Sequence, residues 1–368
     1  MAIAANSIIG GRYRLDQVVG QGGMQQVWAA TDKSLERGVA VKVPIVDGAK
    51  KRFTQSARLS ARVRHSNVAS ALDYVAEGEG EFYVEELIKG IDLQECMDRH
   101  FPRLDGDTAA HVLHHLCRGL AASHGVDVLH RDLKPSNVMV SSDLSFSMIK
   151  ITDFGIAKLA ESEMDKGTAE INAGRTQGLS STMLGAIPFL APEVLRKDKP
   201  GAPQIGKPSD VWSLAAMGYW LLAGEHPFGT GFEAVPGIFL GQPKAWGENL
   251  TANQVTADLV RKLQTIIEGC FKLNPLERPT ADELVSQIAQ LGYLSGARES
   301  GVVTQKGPHG GVWWGRSTTG QGIMLHQAEV MAGAPLSIGA RVNYVSTPGQ
   351  PNRRAVAILR LKDLPGSL

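Results

Sequence analysis

His130-Arg131-Asp132-Leu133-Lys134-Pro135-Ser136-Asn137, eight residues between two apolar segments, decides how the rest of the chain is read. An aspartate can accept the proton of a hydroxyl group, a lysine two places on can neutralise charge on a moving phosphate, and an asparagine three further can ligate magnesium. A His-Arg-Asp triplet alone fits any surface turn. Three complementary groups at this spacing suit the transfer of a phosphoryl group.

Two further landmarks follow in order. Asp153-Phe154-Gly155 comes after the strand-like Met148-Ile149-Lys150-Ile151, and Ala191-Pro192-Glu193 closes the segment. Together these motifs resemble the bacterial members of the eukaryotic-like Ser/Thr protein kinases, from about residue 10 to residue 295. The resemblance implies an α+β bilobal kinase fold, with a small lobe at 10–88 and a large lobe at 89–296. It also implies ATP and Mg2+ as cofactors and protein Ser/Thr residues as substrates. Asp132 would be the base, Lys134 the charge stabiliser, and Asn137 and Asp153 the magnesium ligands. Lys134, two places after the aspartate, favours Ser/Thr over Tyr substrates by the family pattern.

Upstream, Gly20-Gln21-Gly22-Gly23 lies between apolar runs that read as strands, where missing Cβ atoms let a backbone lie close over phosphates. Such a turn is common, but the next strand, Val39-Ala40-Val41-Lys42, offers a lysine where the family grips the α and β phosphates. Val27, Ala40 and Met139 match the residues that sandwich adenine. Glu86 and Ile88 match those that offer it a main-chain carbonyl and amide. Gln25 stands in place of the family's third glycine and reads as a variation. A larger departure follows, because the helix expected over 50–64 has Ser56 where relatives carry the lysine's glutamate partner. No Asp or Glu occurs between Asp47 and Asp73. Glu85, at the gatekeeper place on the neighbouring strand, is therefore the expected replacement partner of Lys42; the competing reading points it to solvent. The same helix carries six Lys/Arg, read as a solvated face.

Asp107 reads as the cap of the next long helix, whose apolar residues Val112, Leu113, Leu116 and Leu120 recur at helical spacing. His111 and His115, at i and i+4, lack a third ligand and read as surface histidines rather than a metal site. The activation loop, from Ile156 to Leu190, suggests control by phosphorylation at Thr176, Ser180, Ser181 or Thr182, with Arg131 as the phosphate receiver by resemblance. Ala186 replaces the threonine that usually bridges the catalytic Asp and Lys. Asp210 would bond the catalytic-loop backbone, and Glu193 with Arg278 would form a buried ion pair. Ser56, Glu85 and Ala186 motivate an alternative reading: a weakly active or inactive pseudokinase serving as a nucleotide- and nucleic-acid-binding signalling module.

The 368 residues carry a net charge of +1, but residues 301–368 hold seven Lys/Arg against two acids, so a basic end follows a mildly acidic body and invites a polyanion. Three scattered cysteines, no secretory pattern at the start and no apolar run of membrane length point to a cytoplasmic protein without a membrane partner. From about residue 300, short apolar strands alternate with Gly, Pro and Ser, which reads as a separate β domain at 300–366. Five strand candidates fit an OB barrel, and their order is similar to cold-shock domains. That resemblance implies single-stranded RNA or DNA as a partner, with Trp313, Trp314 and His326 stacking bases and Arg341, Arg353 and Arg354 meeting phosphates. The rival reading is a barrel kept for docking, with its tryptophans in the core.

Overall fold

The computed structural model describes residues 3–21, 25–45, 54, 57–78, 80–154, 181–196, 201, 203–254, 256–349 and 352–363. Gly22, Gly23, Ser56, Thr176 and Ser180 lie outside the described residues.

The first lobe is an antiparallel sheet in the order β1-β2-β3-β4-β6-β5. Its strands are β1 (Ile8–Ile9), β2 (Tyr13–Gln21), β3 (Gln25–Asp32), β4 (Arg37–Pro44), β5 (Ala71–Glu77) and β6 (Gly80–Glu86). Alternation along β4 and β6 splits their side chains between two faces. Val39, Val41, Val43, Phe82 and Val84 join Tyr13, Leu15 and Trp28 in the core of this lobe. The other face carries Ala40, Lys42, Tyr83 and Glu85, with Ala40 opposite Glu85 and Lys42 opposite Tyr83. Lys42 and Glu85 are thus diagonal neighbours, within reach of two long side chains.

The second lobe is helical: α1 (Leu93–His100), α2 (Gly106–Gly125), α3 (Ser181–Ala186), α4 (Pro192–Leu195), α5 (Lys207–Ala223), α6 (Ala234–Leu240), α7 (Ala257–Gly269) and α8 (Ala281–Ala289). A small sheet of β7 (Gly90–Asp92), β8 (Val138–Ser141) and β9 (Ile149–Ile151) carries the catalytic-loop region. The cap of α2 is Asp105, not Asp107: its carboxylate accepts from the amides of Asp107 and Thr108. Asp107 is instead in the first turn, where its carboxylate accepts from the Leu294 amide at 2.7 Å. Helix α5 is apolar on all sides because it is buried on all sides. Among the described residues no helix is long and apolar enough to cross a membrane.

The C-terminal segment closes into a barrel. Strands β10 (Arg298–Lys306), β11 (Val312–Ser317), β12 (Gly322–His326), β14 (Arg341–Thr347) and β15 (Arg353–Arg360) pair in the ring β10-β11-β12-β15-β14-β10. A parallel pairing of β12 with β15, Ile323 opposite Arg353 and Met324 opposite Arg354, completes the circle. A short β13 (Val330–Ala332) joins β15 from outside the ring. Val303, Ile323, Leu325, Val342, Tyr344 and Ile358 fill the interior.

The barrel is joined to the helical lobe through buried polar groups. Arg298, 5% exposed, donates to Asn343 Oδ1 at 2.5 Å and to Thr108 Oγ1 at 2.8 Å, and it lies 3.4 Å from Asp105. Its guanidinium also reaches the Ala357 carbonyl. Asn343 donates to the Leu144 carbonyl at 3.0 Å, and Lys362 donates through its amide to the His100 carbonyl at 2.8 Å. Ala332, Leu359 and Leu361 extend the lobe's own apolar core. Arg298→Ala should cost about 3–5 kcal/mol, because it strands the buried Asp105 carboxylate without its cation. Urea unfolding followed by tryptophan fluorescence checks this, and an unchanged midpoint would refute it.

Candidate active site

Two clusters of charge lie on either side of Thr152, whose amide donates to the Asn137 carbonyl and whose neighbour Asp153 meets Lys42. In the catalytic loop, Lys134 Nζ lies 2.8 Å from Asp132 Oδ2. Asn137 Nδ2 donates to the Asp132 carbonyl at 2.6 Å and to Oδ2 at 3.1 Å. The loop is held from beneath. Asp210 accepts from the amides of His130 at 2.9 Å and Arg131 at 2.7 Å, and His130 Nε2 pairs with the Thr152 carbonyl at 2.9 Å. Arg131 at φ +67° and Asp153 at φ +63° adopt left-handed backbone, a strained conformation that the surrounding bonds must maintain. Ala186 is buried at the end of α3, and Asp132 meets Lys134 directly without a bridging hydroxyl.

Opposite this loop, Lys42 is 2% exposed and bridges two carboxylates, Glu85 Oε1 at 2.5 Å and Asp153 Oδ1 at 2.8 Å. The solvent-facing alternative for Glu85 does not occur, since it is 6% exposed. Burial works against the Lys42 ammonium, yet Asp153 and Glu85 hold its pKa above the ordinary lysine value. Burial pushes Glu85 up, and Lys42 offsets only part of that. Burial also opposes the Asp153 charge, but Lys42 and Gln25 more than reverse it and hold this carboxyl below the usual range. Lys42 and Asp153 are therefore preset in their charged forms.

The remaining expected positions are spread over both lobes. Gly20 and Gln21 end β2, and Val27 and Ala40 lie on β3 and β4. Met139 lies on β8. Glu86 ends β6 with its carboxylate on Lys150 at 2.9 Å, and Ile88 follows two residues later. Glu193 and Arg278 form a bidentate buried pair at 2.7 and 2.9 Å, with Arg278 stacked 4.9 Å from the centroid of Trp212. Ser181 and Thr182 open α3. Of the basic helix expected over 50–64, the described residues 57–60 are helical, and Ser60 Oγ donates to the Phe154 carbonyl at 2.7 Å.

A family model for the protein kinase domain matches residues 13–288, three quarters of the chain. The chain belongs to the protein kinase family. The kinase region is 35% identical over 282 residues to the serine/threonine-protein kinase PknA of Mycobacterium tuberculosis, covering 73% of this chain and 58% of that protein. The chain is 30% identical over 316 residues to a probable serine/threonine-protein kinase PknB of Corynebacterium glutamicum, covering 82% of this chain and 46% of that protein. With serine/threonine-protein kinase pkn3 of Myxococcus xanthus the identity is 28% over 279 residues, covering 74% and 48%. The chain spans about half the length of the curated relatives it matches.

Three features of this kinase escaped the reading of its sequence. Gln25 donates to Asp153 Oδ1 at 2.9 Å, a role that only its departure from glycine signalled. Arg298 carries the barrel joint, although it lies in what reads as a linker. His111 and His115 are half-buried, not on the surface, with rings 4.5 Å apart; His115 bonds Asn67, and burial pushes its pKa down to about 4.

The candidate nucleic-acid residues do not form one face. Trp313 packs against the barrel core, and Trp314, next along β11, is directed outward beside Met324, which adjoins Arg354. His326 caps the turn at Gln327–Glu329 through its ring. Arg353 pairs with Glu299 at 3.0 Å, and Arg341 reaches the Lys362 carbonyl at 3.5 Å, beside the joint with the lobe.

Proposed function

We propose that this chain transfers the γ-phosphoryl group of MgATP to serine or threonine hydroxyls of proteins. The observation that carries this reading is the pair of opposed clusters, Lys42 between Glu85 and Asp153 on one side and Asp132 with Lys134 and Asn137 on the other. In it, Asp132 accepts the proton of the incoming hydroxyl while Lys134 offsets charge on the moving group. Lys42 holds the α and β phosphates, Gly20 to Gly23 cover them, and Val27, Ala40 and Met139 enclose adenine against the main chain at Glu86 and Ile88. The oxygens of Asn137 and Asp153 are hard donors suited to magnesium, and the buried oxygen of Gln25 beside Asp153, without a donor among the described residues, fits a cation or its water. Magnesium, when bound, supplies positive charge against the phosphate oxygens.

Regulation is part of this reading: phosphate on Thr176, Ser180, Ser181 or Thr182 would order the activation segment against Arg131. The test is γ-labelled ATP with Mg2+ and a generic basic protein. Label recovered on serine or threonine, and lost with Asp132→Asn, is the expected result. MgATP binding without incorporation would favour the pseudokinase alternative.

A second reading takes the barrel as an OB fold, which its closed five-stranded ring supports. The outward Trp314, Met324 and Arg354, with exposed Arg316 nearby, favour a single-stranded nucleic acid on β11 and β12. Fluorescence titration with an oligonucleotide at rising salt should show affinity falling steeply, and salt-independent or absent binding would leave docking as the barrel's role.

A further inference from the structure

Gln25 occupies the first position of β3, opposite Pro44, and its side chain turns into the cleft. It is 9% exposed, and its Nε2 donates to Asp153 Oδ1 at 2.9 Å. Lys42 donates to that same oxygen at 2.8 Å. Among the described residues the other oxygen, Oδ2, has only Thr152 Oγ1 at 3.4 Å. Gln25 and Lys42 thus clamp one edge of the carboxylate and leave the opposite edge for another group. Meanwhile Gln25 Oε1 is buried with no hydrogen-bond donor among the described residues. A buried carbonyl oxygen left without a donor is destabilising, and natural folds keep such atoms chiefly where a ligand or ion completes them. A hard cation with its water shell does so, since it binds carboxylate and amide oxygens and its waters are strong donors. Glycine at position 25 has neither the reach nor the oxygen.

We propose that Gln25 is a member of the magnesium site, orienting Asp153 through Nε2 and accepting the ion or one of its waters at Oε1. This rests on the reading of Asp153 as a magnesium ligand. It gives the departure from the family's glycine a purpose, moving part of the metal site onto the sheet that covers the phosphates.

The experiment follows binding of a fluorescent ATP analogue to the full chain as Mg2+ is titrated, with metal-free binding measured in EDTA. Gln25→Met, of similar length but without the carboxamide, should raise the Mg2+ concentration for half-saturation about 10-fold, as loss of a supporting ligand typically does. Metal-free nucleotide affinity should change less than about twofold, since only the metal-dependent part is lost. A midpoint for Gln25→Met that is unchanged or lower would overturn the proposal, and a lower one would make Gln25 a latch that competes with the ion. Asp153→Asn in the same assay separates the two levels of the argument. If it shifts the midpoint and Gln25→Met does not, the Gln25 proposal alone fails; if it shifts nothing, the reading of Asp153 fails first. Thermal unfolding without nucleotide verifies that each variant is folded.

Discussion

Asp132→Asn is expected to slow phosphoryl transfer about 1,000-fold, within the 100- to 10,000-fold range of a lost general base, while leaving MgATP affinity nearly unchanged. The carboxylate sits between two donors, Lys134 Nζ at 2.8 Å and Asn137 Nδ2 at 3.1 Å, which fix its direction apart from Lys42, the residue proposed to hold the phosphates. Asparagine keeps the shape but has no oxygen basic enough to take a hydroxyl proton. One of its positions must also turn an N–H2 group toward the neighbouring donors, which loosens the loop. Single-turnover transfer and equilibrium binding of an ATP analogue, measured on the same preparation, separate the two effects. Equal rates in wild type and variant would remove Asp132 from the chemistry.

Glu85→Gln should weaken MgATP binding about 30- to 100-fold, roughly 2–3 kcal/mol, and should also lower the stability of the free protein. Lys42 is 2% exposed and is shared between Glu85 and Asp153. Removing one partner of a buried charge normally costs about 3–5 kcal/mol, and the remaining Asp153 reduces that cost without abolishing it. With Glu85 neutral, the ammonium is drawn wholly onto Asp153. The cation meant for the phosphates and the carboxylate meant for the metal then neutralise each other. Calorimetric binding and thermal unfolding check both consequences. Wild-type affinity in the variant would mean that Lys42 is positioned by something other than this carboxylate. Because Glu85 lies on β6, directly beside β4, its pairing with Lys42 is set by the register of the sheet.

What could be read from the chain alone was whatever is local. His130 to Asn137, Asp153 to Gly155 and Ala191 to Glu193 each hold their chemistry within a few residues, so their family follows from spacing. The alternation of apolar residues after position 300 likewise announced strands, and five of them do close a ring. Neighbouring the lysine with Glu85 was legible only as an inference from a missing acid; the sheet register, Ala40 opposite Glu85 and Lys42 opposite Tyr83, is what brings the two charges onto one face. The cap at Asp105 was misplaced by two residues because three acids or hydroxyls compete there, and backbone direction alone selects one. Contacts between distant segments that the family pattern does not carry left no trace in the sequence. Gln25 meets Asp153 across 128 positions, and Arg298 meets Thr108 across 190. The sequence by itself determined the family, because its motifs depend on side-chain type at short spacing. Only the tertiary structure decided which carboxylate holds Lys42, what Gln25 touches and how the barrel is joined, because such pairings depend on which surfaces pack together and spacing along the chain does not encode that.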